Sequence, residues 1–192
     1  REGDGRFSIG AISRLVEGKG LDTLVAALAL LARRGIDFRA TIAGDGELRP
    51  ALERLVEEAL LADRVEVPGW LDEAGKAAFY RSVDVVCYTS GRDVQPLTVL
   101  EAFGWGKALV GTDVLGGSSC YVNEETALVT RVGDPEQLAD ALERLSRDAD
   151  MRARLGRNAR EQAMLCYADE VVAEMLDTRI RELVAERGGH RG

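Results

Sequence analysis

FSIGAISRLVEGKGLDTLVAALALLARRGIDFRATIA, Phe7 to Ala43, decides the fold. Phe7 to Ile12 is a short apolar run ending in a polar turn. Leu21, Leu24, Val25, Leu28 and Leu31 then recur at helical spacing and mark one face. Phe38 to Ala43 is again strand-like and is stopped by Gly44-Asp45-Gly46. A strand, a one-sided helix and a second strand make a crossover unit of a parallel sheet.

The alternation continues outward from that unit. Leu48, Leu52, Leu55, Val56 and Ala59 predict a helix, Val65 to Val67 a third strand ended by Pro68-Gly69, and Asp72 to Arg81 a helix with Asp72 as N-cap. Asp84 to Tyr88 reads as a fourth strand, Leu97 to Trp105 as a helix, Ala108 to Gly111 as a fifth strand and Ala127 to Thr130 as a sixth. From Pro135 the chain is helical, with Leu138, Leu142 and Leu145 on one face. A last helix is predicted over about Asp169 to Glu186 before a short glycine-rich tail. The expected fold is an α/β, Rossmann-like doubly wound parallel sheet of about six strands with helices on both faces and a C-terminal helical extension. One domain over residues 1–187 is expected, with a flexible tail over 188–192.

Composition narrows the function. Of 192 residues 46% are hydrophobic, enough for a sizeable core, and the 30% that are charged are dispersed. A net charge of −8 argues against nucleic acid and anionic membrane as general partners, while leaving room for a small anion held by a few cations. The three cysteines Cys87, Cys120 and Cys166 have no metal-ligand spacing, and the one histidine, His190, lies in the tail; no metal site or histidine-based triad is expected. A reducing cytoplasm is the simplest setting for such thiols.

Ligands of open parallel sheets bind beyond the carboxyl ends of the strands. After the first strand, Arg14 and Lys19 stand five residues apart among glycines, an arrangement suited to a diphosphate. Spacing alone fits two solvated cations on a turn at least as well. After the fourth strand, seven residues separate Asp93 from Glu101, and Pro96 precedes a helix start at Leu97 and Thr98 that offers amides to phosphate. Glu101 is placed to accept bonds from ribose hydroxyls and Asp93 from sugar hydroxyls; taken alone, a turn residue and an exposed helix carboxylate explain them better. Gly44-Asp45-Gly46 is no dinucleotide fingerprint, since Arg49 stands where the third glycine belongs, and Gly18-Lys19 and Gly106-Lys107 are no P-loops. Asp148-Ala149-Asp150 reads as a solvated interhelical turn.

In order, ISRLVEGKGLDTLVAALALL, TIAGDGEL, DRVEVPGW, Asp93 to Gly106, GTDVLGG and ETALVTRVGDPEQLADALERL resemble the C-terminal domain of family 4 retaining glycosyltransferases of the GT-B fold. The resemblance covers nearly the whole chain. It implies that Arg14 and Lys19 neutralise a donor diphosphate, that Glu101 is the second acid of the E-x7-E motif and binds ribose, and that Asp93 replaces the first and faces the transferred sugar. The amides of Leu97 and Thr98, behind Pro96, fall at the phosphates, and Gly44, Gly69 and Trp70 near the base. Asp93 is shorter than the family's glutamate, Val94 and Gln95 replace the usual glycine and aromatic residue, and Gly116-Gly117 continues as Ser118-Ser119-Cys120.

The implied activity is retaining transfer of a sugar from a nucleoside diphosphate donor, UDP or GDP type, to a hydroxyl acceptor, without a metal or cofactor, in polysaccharide, lipopolysaccharide or glycolipid synthesis. A non-catalytic sugar-nucleotide-binding module and a sugar-nucleotide epimerase of the same fold are the rival readings. The implied partners are the nucleotide-sugar, an N-terminal acceptor-binding domain outside this chain and, through the last helix, a second copy. Alone, this half is expected to bind donor weakly and to turn over little or nothing.

Overall fold

The computed structural model describes residues 5–92, 96–114 and 120–167, together with Asp177. Its elements are β1 (Phe7–Ile12), α1 (Leu21–Arg33), β2 (Phe38–Ala43), α2 (Arg49–Glu58), β3 (Val65–Gly69), α3 (Glu73–Ser82), β4 (Val85–Tyr88), α4 (Leu97–Gly104), β5 (Ala108–Thr112), β6 (Leu128–Thr130), α5 (Pro135–Arg147) and α6 (Ala149–Cys166). The strands form one sheet in the order β3-β2-β1-β4-β5-β6, and every neighbouring pair is parallel. The order reverses between β1 and β4, where Ile9 faces Val85 and Gly10 faces Val86.

Both faces of this sheet are covered, which is why its strands read as continuous apolar runs. Successive residues of a strand point to opposite faces. Val85 and Cys87 of β4 and Ala108 and Val110 of β5 enter one core with α1, α2 and α5. Val86, Tyr88 and Leu109 enter the other with α3, α4 and α6. The α1 stripe is buried as its spacing requires, with Leu28 and Leu31 fully enclosed. Helices α5 and α6 return across the two faces, packing against α1 and α4 respectively. At Gly156 of α6 a Cβ would collide with the backbone carbonyl of Gly106, so this glycine sets how closely α6 approaches.

Two sequence expectations shift. β3 runs through Pro68 to Gly69 instead of stopping at Val67. It is an edge strand, so a missing amide on its open side breaks no ladder. Asp148 is not merely a turn residue: its side chain accepts from the Met151 amide at 2.8 Å and caps α6. The Asp72 cap is found as expected, accepting from Gly75 N at 2.7 Å. The helix expected over Asp169 to Glu186, the tail 188–192 and the Gly116-Gly117 turn lie outside the described residues.

Candidate functional site

The site begins with three loops at the carboxyl ends of β1, β2 and β3. Past the last ladder pair, Ser13 N donates to Ala43 O at 3.1 Å and Leu15 N to Asp45 O at 2.8 Å, while Leu48 N reaches back to Leu15 O at 2.9 Å. Gly44 N donates to Gly69 O at 2.8 Å, tying β2's loop to β3's. Gly44 is obligatory here: at φ 133° any Cβ would run into the carbonyl of Ser13. These bonds hold the segment carrying Arg14 flush against its neighbour.

The same segment is fastened on its other side to the loop after β4. Thr89 Oγ1 donates to Lys19 O at 2.8 Å, Gly91 N to Gly18 O at 2.9 Å and Ser90 Oγ to Gly18 O at 3.3 Å. Gly20 closes the turn at φ 64°, and a Cβ there would overlap the Thr89 carbonyl. Thr112 Oγ1 in turn holds Ser90 O at 2.6 Å. Helix α4 is pinned to β1 by Thr98 Oγ1, which donates to Ile12 O at 3.1 Å.

Between these loops, at the switch from β1 to β4, lies a cleft of about 280 Å³. Ser13, Arg14 and Lys19 form one wall, Thr89 and Ser90 another, and Pro96, Leu97 and Thr98 present the start of α4. No side chain caps α4 among the described residues, so its first turn and the positive end of its dipole face a cleft that already carries two cations. Cys87 lines the floor, and burial pushes its thiol up to about 12. It is a space-filling group and not a nucleophile.

Of the residues expected from sequence, Arg14, Lys19, Pro96, Leu97 and Thr98 come together in this cleft. Glu101 sits one turn further along α4 and is outside the cleft wall. It is not an idle surface carboxylate: Oε1 accepts from Lys76 Nζ at 3.2 Å and Oε2 from Tyr80 OH at 2.9 Å. Burial, and after it the charge of Glu101, raises the Tyr80 phenol above its ordinary value. Hydrogen bonds to Glu73 and Glu101 raise Lys76. Gly44, Gly69 and Trp70 stand at the ends of β2 and β3 and do not line the cleft, Gly69 buried and Trp70 75% exposed. Asp93, with Val94 and Gln95, lies outside the described residues.

Lys76, Tyr80, Thr89 and Ser90 were not expected. Lys76 and Tyr80 are four apart on the predicted 72–81 helix, hence on one face, but their partner is on another element and no local pattern names it. The Thr89-Ser90 hydroxyls follow the fourth strand directly, at the carboxyl end where parallel sheets bind ligands, and that position is the signal by which they could have been found. Among the described residues no group of three or more His, Cys, Asp or Glu could hold a metal ion, and no helix is long and apolar enough to cross a membrane.

A doubly wound parallel sheet, with two cations and a helix N-terminus lining a cleft at its switch point, defines the class: a Rossmann-like α/β domain. The chain belongs to the glycosyl transferases group 1 family, whose model matches residues 2–162. It is 30% identical over 172 residues to alpha-D-kanosaminyltransferase of Streptomyces kanamyceticus, covering 90% of this chain and 45% of that relative. Among solved structures, Anabaena HepE in complex with UDP and glucose matches with a TM-score of 0.80 at 22% identity, over 94% of this chain and 48% of that one. The C-terminal domain of the Francisella tularensis group 1 protein LpcC matches with a TM-score of 0.77 at 23% identity, over 85% of this chain and 87% of that domain. The chain thus spans about half the length of the kanosaminyltransferase and of HepE, and its fold is that of the C-terminal half of GT-B glycosyltransferases.

Proposed function

We propose that this chain is the donor-binding part of a retaining glycosyltransferase that uses a nucleoside diphosphate sugar, of UDP or GDP type. The observation that carries the reading is the meeting of Arg14, Lys19 and the start of α4 in one cleft. As the bond between the sugar carbon and the β-phosphate oxygen breaks, its electron pair stays on the diphosphate. Cations and amides already aimed there stabilise the charge most when it is fully developed, and so lower the barrier without a metal. The acceptor hydroxyl attaches to the same face of the sugar carbon and passes its proton to the departing diphosphate oxygen.

In this reading Arg14 and Lys19 bind the diphosphate, with Pro96, Leu97 and Thr98 supplying the helix start. Glu101 takes ribose hydroxyls, Asp93 faces the sugar, and Gly44, Gly69 and Trp70 border the base. The fold is one that holds UDP and glucose in HepE, and the family relation makes transfer to a hydroxyl the natural chemistry. The acceptor would be positioned by an N-terminal domain, within a cytoplasmic route to polysaccharide, lipopolysaccharide or glycolipid. The test is sugar transfer by a protein carrying both halves, in EDTA, with the product's anomeric configuration read by NMR. A retained configuration at undiminished rate is expected; an inverted product, or activity restored only by a divalent ion, refutes the corresponding part.

A further inference from the structure

Glu101 is braced from outside its own helix. Tyr80 is 1% exposed, and its hydroxyl is 2.9 Å from Glu101 Oε2. The ring is held by Phe79 edge-on at 5.1 Å and by Trp105 stacked at 6.0 Å, with the Arg81 guanidinium 5.3 Å from the Trp105 ring centre. Lys76 Nζ lies 3.2 Å from Glu101 Oε1 and 2.8 Å from Glu73 Oε1. One neutral donor and one charged donor from α3 therefore take one site on each oxygen of a carboxylate on α4.

A carboxylate offers about four acceptor positions. Among the described residues one is used on each oxygen and one on each remains, and the Glu101 side chain is 38% exposed, so the remaining pair is reachable. Two adjacent acceptors held at fixed geometry match the two hydroxyl donors of a ribose. Without its braces the side chain would sample other rotamers and would lose entropy on engaging a diol. The raised Tyr80 phenol remains a donor throughout the neutral and mildly alkaline range.

Resting on the donor-site reading above, we propose that Tyr80 and Lys76 are positioning residues for a ribose subsite, fixing the Glu101 carboxylate so that its two open acceptor sites meet the vicinal hydroxyls of the nucleotide. The role is distinct from a simple α3–α4 brace, because a brace has no reason to distinguish a ribose from a deoxyribose.

The test is calorimetric titration of the 192-residue chain, unaltered and as Tyr80→Phe and Lys76→Gln, with UDP, GDP and ADP and with the 2′-deoxy form of whichever binds tightest. Thermal melts verify that each variant is folded. Lys76 stands on the outer side of the network, which keeps one variant readable if removing the phenol disturbs packing. The expected result is about a tenfold loss for the ribonucleotide in each variant, the scale of one charge-assisted hydrogen bond, and about threefold for the deoxy form, which keeps one of the two hydroxyls. Equal losses for both forms, or no loss for either, overturn the inference. So does an unaltered chain that binds the two forms alike, which leaves diphosphate binding standing. An unaltered chain that binds no diphosphate overturns the donor-site reading as well.

Discussion

Replacing Gly20 by alanine tests how the cation-bearing loop is held. Gly20 has φ 64°, where a residue with a Cβ is strained by about 1–2 kcal/mol. The Cβ would also overlap Thr89 O, inside the 3.0 Å that real Cβ contacts respect, and the obstacle is backbone that cannot rotate aside. The loop must separate from β4, which stretches the bonds from Thr89 Oγ1 to Lys19 O and from Gly91 N to Gly18 O. At roughly 1 kcal/mol for each such bond, the total loss is about 3–4 kcal/mol. Gly18 is the internal control: its φ is 83°, yet the nearest atom to its Cβ is Arg92 Cβ at 3.7 Å, so Gly18→Ala carries only the backbone strain, about 1–2 kcal/mol. Urea unfolding of both variants measures the difference, and diphosphate titration reads whether Lys19 has moved. If the two variants agree within about 0.5 kcal/mol, the contact to Thr89 does not hold this loop.

Three further outcomes follow from the core and the thiols. Leu28→Ala, at a fully enclosed position of α1, should lower stability by about 2–5 kcal/mol in urea unfolding; a loss under about 1 kcal/mol would mean that this face is not packed. Iodoacetamide at pH 8 should label exposed Cys166 and spare buried Cys87 and Cys120 until denaturant is added, as read by peptide mass spectrometry. Early labelling of Cys87 would contradict its burial. Because burial raises the Cys87 thiol from 9.0 to about 12, its stabilising contribution is complete below pH 9 and fades between pH 9 and 12, where the unfolded chain sheds a proton that the fold retains. The stability difference between the unaltered chain and Cys87→Ala should therefore shrink across that window and be constant below it.

The fold was legible in sequence because each element carries its own local signal. The α1 stripe from Leu21 to Leu31, the runs Phe7 to Ile12 and Phe38 to Ala43, and the Asp72 cap lie where their periods place them. The end of β3 was misplaced because a proline's effect depends on whether the strand lies at an edge, and strand order is a long-range property. Arg14, Lys19 and the start of α4 could be singled out in sequence because loops at strand ends can be enumerated from the element order alone. Their juxtaposition depends on the β1–β4 pairing, which joins segments more than seventy residues apart. The Tyr80–Glu101–Lys76 network spans α3 and α4, so no periodicity within either helix reports it.

On the reading above, the β1–β4 cleft takes a nucleoside diphosphate through Arg14, Lys19 and the start of α4. The most direct test is calorimetric titration of the chain with UDP, GDP and ADP, with and without magnesium, beside Arg14→Ala and Lys19→Ala. Removing either cation deletes a charge-assisted contact of about 1.5–3 kcal/mol, or roughly ten- to a hundredfold in Kd. Binding of one diphosphate, indifferent to magnesium and weakened to that extent in both variants, is expected. Binding that survives both substitutions unchanged, or that requires magnesium, would contradict that reading.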